Sequence, residues 1–106
     1  MTRLTFFKNS EHYMGFVCKD HSGYADEGYD IVCAAVSATV QLTVAYFVKY
    51  FNDEIILTVD EQNALIELRC KRYFAESDMQ LSVLEEFAIQ LSEQFYDYFT
   101  FDYLEV

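Results

Sequence analysis

The stretch from Ile31 to Phe51, IVCAAVSATVQLTVAYFVKYF, constrains the fold most, because it holds no Gly, no Pro and one charged residue, Lys49. It is far longer than a strand of about 5–6 residues. Ala34, Ala35, Ala38 and Ala45 favour a helix, although the β-branched residues lower its intrinsic propensity. Asp30 stands immediately before the run as the expected N-cap, its carboxylate accepting from first-turn amides, and Asn52-Asp53 is expected to end it. A helix apolar nearly all round has to be covered on more than one side. One side is expected to lie on a sheet and the other to meet a second copy of the chain. No uninterrupted apolar run is read as approaching the roughly 18 residues of a membrane span, so no membrane partner is expected.

Alternation supplies the sheet. Thr2 to Phe7 puts Leu4 and Phe6 on one face and Arg3, Thr5 and Phe7 on the other. After the polar turn Lys8-Asn9-Ser10-Glu11, Tyr13 to Lys19 alternates with Met14, Phe16 and Cys18 together, and Gly15 marks a bulge or a close backbone approach. Asp20 to Tyr29 has no period and reads as a loop. Glu54 to Val59 and Ala64 to Arg72 form a second hairpin. Ser77-Asp78-Met79-Gln80 matches a capping box, opening a helix that runs to about Phe95. The order ββαββα predicts an α+β domain of two layers, a mainly antiparallel sheet with two packed helices. At 106 residues the chain, 1–106, has room for one core. The segment 95–106 is an acidic aromatic tail that the pattern leaves open between an edge strand, a dimer surface and a segment ordered only by a partner.

The charge of −11 argues against direct nucleic-acid binding, which needs clustered Lys and Arg, and favours a basic partner. With 9 Tyr and 10 Phe, some aromatics are expected on an oligomer surface. The start, MTRLTFFKNSEHY, does not read as a signal peptide, and three cysteines (Cys18, Cys33, Cys70) fit a reducing cytoplasm.

Chemistry concentrates between Asp20 and Ser37, DHSGYADEGYDIVCAAVS. Cys33 falls in the first turn of the expected helix, where unpaired amides and the positive end of the helix dipole favour a thiolate. A free thiol with a pKa of about 8.5 drops to about 3.5–7.5 in such places or beside a histidine. His21 lies across the loop as a possible general base, and Asp30 can cap the helix, orient His21, or do both. Amides at the helix start can form an oxyanion hole. The plainer reading is a packed, inert cysteine. A third has Cys18, His21 and Cys33 as metal ligands, but no fourth partner is near and neither metal nor cofactor is expected. Cys18 and Cys70 share strand faces with apolar neighbours and read as core; His12, beside a turn, reads as a solvated surface residue.

The residues His21-Ser22-Gly23-Tyr24-Ala25 and Gly28-Tyr29-Asp30-Ile31-Val32-Cys33-Ala34-Ala35-Val36-Ser37 resemble the ribosomal-processing cysteine protease family, Prp, whose usual form is GHAGYA, two variable residues and G-x-DIVCAAVS. The resemblance implies a bacterial, cytoplasmic, homodimeric cysteine endopeptidase that removes the N-terminal extension of a large-subunit ribosomal protein. It implies Cys33 as nucleophile, His21 as base and Asp30 in support, with a mobile loop bearing Gly23 and Gly28 and with Ser37 facing the substrate groove. Asp20 stands where the family has Gly and Ser22 where it has Ala. Neither change removes a reacting group; Asp20 adds a charge beside His21 and bears on loop stiffness, and with it on substrate preference and pH optimum. A different functional class compatible with the same fold is a non-catalytic module that binds the ribosome or an assembly intermediate.

Overall fold

The computed structural model describes residues 1–21, 23, 25, 26 and 30–106. The strands are β1 (Thr2–Asn9), β2 (His12–Lys19), β3 (Ile55–Asp60), β4 (Leu65–Cys70) and β5 (Phe99–Glu105), and the helices α1 (Ile31–Phe51) and α2 (Ala75–Gln94). The sheet order is β3-β4-β2-β1-β5, antiparallel throughout except that β5 runs parallel to β1. Both helices cover one face, giving the expected two-layer α+β architecture.

Alternation fixes that face. Leu4, Phe6, Phe16, Leu68, Cys70 and Phe99 form one buried cluster with Val32, Val36, Val40 and Phe47 of α1 and Leu81, Leu84, Ala88 and Leu91 of α2. Burying an aliphatic or aromatic side chain contributes about 1.5–3 kcal/mol, so this cluster dominates the stability. Gly15 does both things expected of it. The register slips between Phe7 and Lys8, a β-bulge that sets Tyr13 opposite Lys8 and brings the Tyr13 ring edge-on to Phe6 at 5.9 Å. Its φ is +138°, and a Cβ there would lie 2.0 Å from the Leu68 carbonyl oxygen, so β4 can approach only because the residue is Gly. Phe7, on the opposite face, is buried because the Arg69 guanidinium sits 4.1 Å from its ring centroid.

One open alternative is decided and three expectations are corrected. The segment 95–106 carries the fifth strand: Phe99, Phe101 and Tyr103 take the same face as Thr2, Leu4 and Phe6, while Asp102 accepts from Arg3 (3.0 Å) and Thr5 (2.6 Å). Helix α2 begins at Ala75 with Phe74 in the N-cap position and no side-chain cap. The supposed capping box fastens β2 instead. Ser77 Oγ reaches the carbonyls of Tyr13 (3.1 Å) and Phe74 (2.8 Å), and Asp78 accepts from Tyr13 N (2.7 Å). Phe74, 4.7 Å from the Phe51 ring, takes over the helix entry. His12 is not merely solvated: Nδ1 lies 2.8 Å from Asp78 Oδ2, and its ring stacks on Tyr73 at 4.0 Å. Finally, Ile31–Glu54 is, by length and composition alone, long and apolar enough to cross a membrane. Val32, Val36, Val40, Thr43 and Phe47 are nevertheless buried as a core helix would bury them, and the Thr43 hydroxyl is satisfied by the Thr39 carbonyl at 3.0 Å.

Candidate active site

Asp30 takes an extended conformation (φ −82°, ψ 99°), and its Oδ1 accepts from the backbone N–H of Cys33 at 2.8 Å, the N-cap arrangement the sequence predicts. Capping starts the helix at Ile31 and so fixes Cys33 in its first turn. The cap also spends the amide of Cys33, so an oxyanion hole at this helix start has to draw on other donors.

From Cys33 the Sγ atom lies 3.8 Å from His21 Nδ1. That is the reach of a thiol–imidazole contact, and catalytic contacts are commonly this long in ligand-free structures. His21 is exposed, and Cys33 is half-buried. The pair stands between two clefts. One, of about 640 Å³, runs along α1 past Val36, Val40 and Val44 to Leu65 and Ile66, with Asp20, Asp60 and Glu61 also on its wall. The other, of about 580 Å³, is walled by Gly23, Ala25, Asp26 and Asp30. Ser37, one helical turn beyond Cys33, borders both clefts and accepts from Gln41 Nε2 at 2.7 Å.

The other thiols differ in kind. Burial pushes Cys18 from 9.0 up to about 12, with Cys33 and Asp20 nearby adding to it. Burial likewise pushes Cys70 from 9.0 up to about 11. Neither supplies thiolate near neutral pH. Among the described residues no group of three or more His, Cys, Asp and Glu side chains is arranged to hold a metal ion.

Gly23 has φ +74°, with open space where a Cβ would stand, so backbone freedom is its contribution. Asp20 has φ +71°, the left-handed region that favours Gly, at the position where the family pattern carries Gly. Ser22 and Gly28 lie outside the described residues.

Residues 1–99 match the family model described as cysteine protease Prp. The chain belongs to the Prp family of cysteine proteases. Prp-family membership makes it a hydrolase of the thiol-protease type. Several solved structures share the fold. One is the essential ribosomal-processing protease Prp from S. aureus with a covalently linked product peptide (TM-score 0.89, 18% identity, covering 98% of this chain and 100% of that one). The same S. aureus protease with a substrate peptide gives a TM-score of 0.80 at 17% identity, covering 98% and 100%. SMU.848 from Streptococcus mutans also gives 0.80, at 20% identity, covering 100% of this chain and 96% of that one. Comparison with curated proteins finds no match.

Sequence reasoning missed one part of this site. The carbonyl of Asp20 accepts from Thr2 Oγ1 at 2.9 Å, and its amide donates to the Ala64 carbonyl at 3.0 Å. The only signal for it in the sequence is a non-glycine residue where the family has Gly.

Proposed function

We propose that this protein is a bacterial cytoplasmic cysteine endopeptidase that removes the N-terminal extension of a large-subunit ribosomal protein. Cys33 is its nucleophile and His21 its general base and acid. The observation that carries the reading is the Sγ–Nδ1 approach of 3.8 Å at a capped helix start inside a Prp-family chain.

His21 takes the thiol proton as Cys33 Sγ attacks the scissile carbonyl carbon. The tetrahedral adduct collapses to a thioester as the imidazolium protonates the departing amine. Water, deprotonated by His21, then hydrolyses the thioester and regenerates the thiol. Asp30 holds Cys33 in register through the cap. Ser37, Gly23 and Asp20 border the clefts that would take the substrate, and the family motif adds Ser22 and Gly28 to the proposed substrate-binding set. The apolar cleft suits apolar side chains next to the cut, and the carboxylates at its edge suit a basic peptide, as does the charge of −11. Nothing in this sequence of steps calls for a metal or cofactor.

The exposed side of α1, with Leu42 72% and Tyr50 62% exposed, supports a homodimer closed over this helix. Incubation with a peptide spanning the extension junction tests the activity. Wild type is expected to give one cut, and Cys33→Ala to lose at least ~10⁴-fold in kcat. Cleavage undiminished in Cys33→Ala would overturn the mechanism. A folded wild type that binds the peptide without cutting it would instead indicate the non-catalytic module.

A further inference from the structure

Two residues with side chains sit in the left-handed region beside the candidate site, Asp20 at φ +71° and Ala64 at φ +47°. One hydrogen bond joins them, from Asp20 N to Ala64 O at 3.0 Å. A Cβ makes this region costly, and such residues persist only where their surroundings hold them. What holds Asp20 is visible. Its amide is tied to the residue that precedes β4, and its carbonyl oxygen accepts from Thr2 Oγ1 at 2.9 Å. Thr2 is itself 2% exposed, and its amide donates to the Tyr98 carbonyl at 3.0 Å, where β5 begins. Both sides of Asp20 are therefore anchored to the sheet.

We infer that Thr2 is a positioning residue for His21, acting through the Asp20 carbonyl. This rests on the proteolytic reading of the Cys33–His21 pair. The oxygen that Thr2 holds belongs to the peptide group joining Asp20 to His21. Fixing it fixes the plane of that peptide and hence where the His21 backbone starts. The left-handed turn at Asp20 takes the chain off the line of β2, and the ring that follows lies 3.8 Å from Cys33 Sγ. Thr2, Asp20, His21 and Cys33 border one cleft, so the clamp acts where the chemistry does. The clamp thus sets the backbone from which the exposed imidazole of His21 reaches Cys33.

The test is Thr2→Val, which keeps shape and strand propensity but removes the hydroxyl, beside Thr2→Ser, which keeps it. Thr2→Val is expected to lower kcat about tenfold with KM within about twofold, since a small displacement of a reacting group is costly in rate. Thr2→Ser is expected to recover to within about threefold of wild type. The iodoacetamide rate–pH profile of Cys33 in Thr2→Val should move toward that of His21→Ala. Wild-type kinetics and alkylation in a folded Thr2→Val would overturn the inference while leaving the protease reading intact. Equal losses in both variants would reduce Thr2 to packing and overturn it too. If the wild type cuts no peptide, the alkylation profile still decides the clamp. If Thr2→Val does not fold, Thr2→Ala takes its place with the same expected losses beside Thr2→Ser, and wild-type kinetics and alkylation in a folded Thr2→Ala would overturn the clamp.

Discussion

Strand β2 is fastened to a helix start at each end, and both junctions use a histidine, an aspartate and a potential nucleophile. At its amino end stand His12, Asp78 and Ser77; beyond its carboxyl end stand His21, Asp30 and Cys33. In the first junction every group is spent. Ser77 is fully buried with its hydroxyl on two carbonyls, and Asp78 uses one oxygen on Tyr13 N and the other on His12. In the second, the aspartate caps the helix while sulfur and imidazole meet at 3.8 Å on the wall of a cleft. Residue types do not separate a fastening from a reactive pair. Satisfied hydrogen bonds and burial do, because a hydroxyl whose proton is committed to core carbonyls has no base to take it and no room for a substrate.

Replacing each histidine by alanine sharpens that contrast most. His21→Ala is expected to lose about 10²–10⁴-fold in kcat/KM on the junction peptide, the usual contribution of a positioned acid–base group. His12→Ala should stay within about twofold, while this half-exposed histidine's loss costs about 0.5–1 kcal/mol of stability through its pairing with Asp78. Peptide kinetics beside urea unfolding separate the two. A His12→Ala variant as inactive as His21→Ala would break the comparison.

The two junctions also differ in how far the sequence reveals them. Asp30 and Cys33 were legible because capping is local: an aspartate three residues before a cysteine at the head of an apolar run has one obvious use, whereas His21 stood out only through the motif it shares with the family. The Ser77–Asp78 pair followed the same rule and misled, since the aromatic packing of Phe74 on Phe51 decides where α2 begins, and that contact spans two elements. Strand β5 was hidden for another reason. Aromatics at Tyr96, Tyr98, Phe99, Phe101 and Tyr103 occupy both phases of a two-residue period, and the partner that selects one phase is β1, at the opposite end of the chain. The tie from Thr2 to Asp20 depends on a left-handed turn and a distant register, neither of which leaves a local pattern.

A smaller effect distinguishes the aspartates. Asp30→Ala removes a cap worth about 0.5–2 kcal/mol and frees the nucleophile's own backbone, so activity is expected to fall by at least ~10-fold beyond any loss of folded protein. Asp78→Ala leaves the Tyr13 amide without its acceptor, at a cost of about 1–3 kcal/mol, with kcat per folded molecule nearly unchanged. Unfolding curves set against active-site titration would show the crossing. Parallel losses in both variants would mean that the junctions are equivalent after all.

The smallest contrast lies in the buried thiols, one near each junction. Burial raises Cys18 from 9.0 to about 12, and Cys70 from 9.0 to about 11 with the Ser77 hydroxyl offsetting part of the rise. Tyr103 is likewise pushed from 10.0 to about 12 by burial, with Glu85 adding to it. These groups are acids whose folded-state pKa lies above the unfolded value. Between the two values the unfolded chain has lost protons that the native state keeps, so stability falls as pH rises. The thiols' full contribution is present below 9.0, declines above it, and is gone once pH passes about 11 for Cys70 and about 12 for Cys18, while that of Tyr103 declines only above 10.0. Unfolding free energy is thus expected to hold up to about pH 9 and drop steeply between about pH 9 and 11. Cys18→Val and Cys70→Val should each flatten that slope by about one proton's worth, and between about pH 11 and 12 only Cys18→Val should still do so. An equal slope in both variants and wild type would show that neither thiol is held protonated by the fold, leaving Cys33 distinguished by its cleft and its histidine alone.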